Sequence, residues 1–90
     1  MSYELNEVQF DILDNLYFVE SYENVLADVD HPEPIIRDEL RTMIDKGWVH
    51  VMEFDEKSGD YLRTPIYDTD NMKEYHYLAS KEGLLRHTSG

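Results

Sequence analysis

The segment Asp30-His31-Pro32-Glu33-Pro34 limits the folds open to this chain more than any other five residues. Proline locks its own backbone, donates no hydrogen bond and drives the residue before it into extended conformations, so His31 and Glu33 cannot sit inside a helix. Pro34 instead suits the first turn of a new helix, where the missing N–H costs nothing. Apolar residues recur at helical spacing on both sides. Upstream, Ser21 can cap a short helix from Tyr22 to about Asp28, with Val25, Leu26 and Val29 facing inward. Downstream, Ile36, Leu40, Met43 and Ile44 form the buried face of a helix from Pro34 to about Lys46. Gly47 then stands where a left-handed residue ends a helix, and Lys46 favours the helix's negative end. Two helices joined by a short turn make a helix-turn-helix candidate over about 22–46.

A longer helix is expected before this pair. Leu5, Val8, Ile12, Leu16 and Val19 recur at spacings of three and four, which predicts one stripe on a helix from about residue 7 to about 20. Asn6 and Gln9 are placed as a capping box, and Leu5 and Phe10 as a hydrophobic staple. A second stripe, Phe10, Leu13 and Tyr17 with Phe18 nearby, is more apolar surface than one flank of a core requires. Either the rest of the chain covers it, or a symmetric contact buries it in a homodimer.

After Gly47 the pattern changes to strand. Trp48 to Phe54 is rich in β-branched and aromatic residues; residues 55–60 have turn composition; Tyr61 to Tyr67 reads as a returning strand that Pro65 confines to an edge. Asp68 to Glu74 is a polar loop and Tyr75 to Leu78 is strand-like. From Ser80, a possible cap, a short final helix carries Leu84 and Leu85 inward, weakened by Gly83. Ninety residues supply one core, so residues 1–90 are expected to form a single domain.

This order of elements resembles the winged helix-turn-helix superfamily, in the manner of its MarR and PadR members. Leu5 through Leu16 is similar to the opening helix of MarR-type regulators. Leu40 through Met43 to Gly47-Trp48-Val49 is similar to a recognition-helix exit, and Tyr77-Leu78-Ala79-Ser80-Lys81-Glu82-Gly83 to the last wing strand and following helix. The resemblance implies an α+β fold: a three-helix core, a β-hairpin wing over about 48–78 and a short C-terminal helix. Tyr75 to Leu78 would pair with Trp48 to Phe54, leaving residues 55–74 as an enlarged wing. It also implies a DNA-binding, homodimeric transcriptional regulator whose third helix enters the major groove of double-stranded DNA. Arg37 and Arg41, four apart and away from Ile36, Leu40 and Ile44, are then the DNA contacts of that helix, with Lys57 or Arg63 on the wing. The same two arginines can equally pair with Glu33, Asp38 or Asp45.

Charge opposes that function. The chain carries −12: residues 1–30 hold eight acids and no Lys or Arg, and the remainder nets −4. Residues 55–74 set six acids against Lys57, Arg63 and Lys73. Such a surface repels phosphates unless its cations alone face the DNA. The alternative is an acidic interaction domain that binds a basic protein partner or mimics DNA.

Other chemistry finds little support. The chain has no Cys, which suits the cytoplasm, and neither an apolar run of membrane-spanning length nor a signal-peptide pattern. His31, His50, His76 and His87 lack the paired spacing of a metal site. Asp68-Thr69-Asp70 opens like a calcium loop, but Lys73 and Ala79 stand where Gly and Glu are needed. No nucleophile context or phosphate-cradling Gly loop is present, so neither an enzyme nor a cofactor is expected.

Overall fold

A computed structural model describes residues 5–89. Helix α1, Glu7–Asp14, starts on the expected capping box: the Asn6 side chain accepts from the Gln9 N–H at 2.8 Å, and the Gln9 side chain from the Asn6 N–H at 3.1 Å. It ends well before residue 20. The N–H groups of Asn15 and Leu16 turn back to the carbonyls of Ile12 and Leu13, and the Leu16 carbonyl accepts from Ala79 N–H at 2.9 Å. This bond commits the chain to the sheet, so Glu20–Ser21 become a short strand, β1, where the stripe alone extends the helix.

Ser21 caps α2, Tyr22–Asp28, by accepting from Asn24 N–H at 3.1 Å. After the turn at 29–32, α3 runs Glu33–Asp45 with proline in its first turn, and Gly47 follows at φ 79°. The next strands are β2 (Val49–Asp55), β3 (Asp60–Arg63) and β4 (His76–Ala79), and the sheet order is β1-β4-β2-β3 with every pair antiparallel. As expected, the final strand pairs with β2, in the register Val49↔Ala79 to Met52↔His76. Strand β3 is shorter than the predicted 61–67. Thr64 still donates to the Val51 carbonyl at 2.9 Å, but Pro65 has no N–H with which to continue.

The segment that follows is not an open wing. A single 3-10 turn, Met72–Glu74, drives Met72 into the core, and the Tyr77 hydroxyl donates to the Met72 carbonyl at 2.6 Å. Residues 64–75 thus fold back on the body through Met72 and the Thr69 carbonyl that accepts from Arg41.

Helix α4, Lys81–Ser89, begins at Ser80, whose hydroxyl accepts from Gly83 N–H and donates to the Gly47 carbonyl. Gly83 is buried, and its lack of a side chain is used: a Cβ there would lie 2.1 Å from the Trp48 carbonyl oxygen. Leu84 packs on the core, whereas Leu85 points outward, 55% exposed.

The core joins Ile12, Leu13 and Leu16 of α1 and its exit to Ile36, Leu40 and Met43 of α3 and to Val49, Val51, Tyr77 and Ala79 of the sheet. The protein is therefore α+β, with four helices and a four-stranded antiparallel sheet. Among the described residues no helix is long and apolar enough to cross a membrane.

Candidate functional site

Helix α3 shows its inner face to α1 and β2, and its remaining residues divide into two sets. Ile35, Asp38, Thr42 and Asp45 are exposed along one side. Arg37 and Arg41 instead lie partly buried. The Arg41 guanidinium donates to the Thr69 carbonyl of the returning segment, and Asp38 lies 3.9 Å from Arg37 Nε and 3.8 Å from Arg41 Nη1. Of the acids open to these arginines in the sequence, Asp38 is the one that takes them. Glu39, another acid of this helix, accepts from Asn6 Nδ2 at 3.1 Å and Gln9 Nε2 at 2.8 Å, which ties α3 to the start of α1.

The same arginines adjoin a tyrosine cluster. Burial, the bond from its hydroxyl to Glu33 and that carboxylate's charge push Tyr22 up to about 12, against the opposing charges of Arg37 and Arg41. Burial first, then Asp45, raises Tyr67, and burial holds Tyr77 far above the ordinary tyrosine range. The three hydroxyls thus all lie within electrostatic reach of Arg41.

The other cations proposed to touch DNA lie elsewhere. Lys57 is exposed on the turn between β2 and β3, and Arg63 ends β3, opposite Met52. Arg63 adjoins His50, whose pKa is lowered by burial and then by the Arg63 charge. The wing cations and the α3 arginines therefore belong to different surroundings.

The proposed dimer stripe is divided by the fold. Leu13 is fully buried, so it cannot meet a second copy. His87 of α4 touches both its neighbours: Phe10 stacks on the His87 ring with centroids 4.3 Å apart, and Tyr17 Oη lies 2.8 Å from His87 Nδ1. Phe10 and Tyr17 nonetheless keep 40% and 43% of their surface exposed, and Phe18 nearby is 78% exposed.

The fold also assembles a cluster that spacing in sequence did not reveal. Glu7, Asp11 and His31 bring potential metal-ligand atoms within 4.8 Å of one another, His31 Nε2 lying 3.0 Å from Asp11 Oδ2. Glu7 and Asp11, four apart on α1, were legible; His31 arrives from the α2–α3 turn. All three are at least partly exposed, and the His31–Asp11 hydrogen bond already accounts for their approach. The Asp68 carboxyl closes its own turn, accepting from Asp70 N–H and Asn71 Nδ2, which lowers its pKa.

No protein-family model, curated protein or solved structure matches this chain.

Proposed function

We propose that this chain is a winged helix-turn-helix domain working as a protein-interaction module in the cytoplasm, with the outward side of α3 presented to a basic partner. The element order, the short α2–α3 turn and the β2–β3 hairpin support the winged-helix reading. One observation carries the function: α3 presents Ile35, Asp38, Thr42 and Asp45 outward, while Arg41 is held by the Thr69 carbonyl of the returning segment and both arginines lie beside the Asp38 carboxylate. DNA brought to this side meets carboxylates first, and phosphates gain affinity only where cations neutralise them. A partner with Lys or Arg around an apolar anchor finds the complementary arrangement, Ile35 between acids.

The long Asp38 contacts keep a second reading, in which Arg37 and Arg41, with Lys57 and Arg63, swing out to hold double-stranded DNA as a transcriptional regulator does. One titration separates the two: labelled random-sequence and selected duplexes, at low salt and micromolar protein. The interaction reading expects no binding. A complex that weakens in Arg37→Ala/Arg41→Ala overturns it. Conversely, a cross-linked partner lost in Asp38→Lys/Asp45→Lys, with circular dichroism unchanged, supports it. Asp38 gives up only its long contacts to Arg37 and Arg41, whereas Asp11, Asp14 and Glu20 hold His31, His87 and Asn24 at 3.0, 3.3 and 3.1 Å.

A further inference from the structure

Strand alternation gives the sheet two unlike faces. Val49, Val51, Tyr77 and Ala79 point into the helical core. The opposite face carries Met52 and Phe54 of β2, Tyr61 and Arg63 of β3, and His76 and Leu78 of β4, a side set by the registers Met52↔Arg63, Phe54↔Tyr61 and Met52↔His76. Ring contacts agree: Phe54 meets Tyr61 with centroids 5.2 Å apart, and Tyr61 meets His76 at 4.8 Å. Phe54 is 50% exposed and Tyr61 36%. His50 shares this face. In a chain with 20 acids, none of these seven strand positions is Asp or Glu.

We propose that two copies of this chain pair through the outer sheet face, sheet against sheet about a two-fold axis. Charge selects this occupant. At −12 any approach of two copies is opposed, least so through a face free of carboxylates. Aligned sheet packing buries the exposed parts of Phe54, Tyr61 and Leu78 around Met52, which is already buried. With the axis along the strands, β3 of one copy lies over β1 of the other, where Ser21 opposite His76 shares the outer face and Glu20 opposite Tyr77 does not, so the symmetry brings Arg63 twice onto an edge without a facing carboxylate. A basic protein finds no acid on this face, and a nucleic-acid strand finds one arginine on a strongly acidic molecule. The pairing leaves the outward side of α3 open and is independent of its reading.

Sedimentation velocity from low to high micromolar concentration tests this. Expected is a monomer–dimer equilibrium weakened roughly tenfold or more by Tyr61→Glu, because a buried unpaired carboxylate must be desolvated, and weakened also by Arg63→Glu. Phe10→Glu, on the α1–α4 side, leaves it unchanged. Circular dichroism confirms that each variant is folded. A protein monomeric at every concentration, a dimer indifferent to Tyr61→Glu, or one lost instead in Phe10→Glu overturns the proposal. Labelled oligothymidine is a further probe: binding that Tyr61→Glu abolishes assigns the face to nucleic acid and likewise overturns it.

Discussion

Replacing Gly83 by alanine sets two physical effects against each other. Inside a helix alanine is ordinarily better than glycine by about 1 kcal/mol, so propensity alone expects stabilisation. The packing expects the reverse. A Cβ at position 83 would lie 2.1 Å from the Trp48 carbonyl oxygen, 3.0 Å from its carbon and 3.3 Å from Leu13 Cδ2. An ordinary carbon–oxygen contact is about 3.3 Å, so α4 must retreat by about 1 Å. The obstacle is backbone, held in place because the same carbonyl accepts from Ser80 N–H at 2.8 Å. Retreat also loosens the Ser80 cap and the cover over Leu13. Overpacking costs about 1–3 kcal/mol and a strained hydrogen bond about 1 more, so after the helix gain the net loss is about 1–3 kcal/mol. For a domain of this size that lowers Tm by about 5–20 °C. Thermal melts followed by circular dichroism measure it, and Trp48 fluorescence locates it, because Trp48 is the one tryptophan and Arg86 lies 4.8 Å over its ring. Gly59→Ala is the contrast: its φ of 70° is strained for alanine but no atom lies within 4 Å, so Tm falls while the Trp48 emission stays. A Gly83→Ala protein as stable as the parent would refute the close-approach argument.

Two further outcomes follow from charge. The Tyr22 pKa is raised from 10.0 to about 12, so its contribution to stability is complete below pH 10 and is lost as pH climbs between those values; Tyr22→Phe should therefore flatten the alkaline fall in stability measured by urea titration, Tyr67 and Tyr77 supplying the remainder, and an unchanged fall would count against it. Surface carboxylates that repel one another at net −12 should make the urea midpoint rise with sodium chloride up to about 1 M, where the screening length is about 3 Å; a midpoint that falls would show that attractive ion pairs dominate.

The features legible in the sequence are those completed within a few residues. Asn6 with Gln9, Ser21 before α2 and Gly47 after α3 each satisfy backbone groups close by in the chain, so composition and spacing are sufficient to find them. The end of α1 was not legible, because its apolar stripe continues to Val19 while the Leu16 carbonyl is claimed by Ala79. The candidate site divides in the same way. The spacing of Arg37 and Arg41 places them together on one side of α3, but the return of residues 64–75 decides whether that side meets solvent. Leu13 has the spacing of a surface stripe and lies at 0% exposure because α4 packs over it.

By itself, then, the sequence determined where helices begin, where proline and glycine interrupt them, and that the chain is strongly acidic, since each depends on local backbone chemistry or on a sum over residues. Only the tertiary structure decided which charges face outward. It turned the α3 arginines toward Thr69 and Tyr22 and left Asp38 and Asp45 exposed. It also gathered Met52, Phe54, Tyr61 and His76 onto a face free of acids. Orientation of this kind depends on contacts between segments tens of residues apart, and no local spacing encodes them.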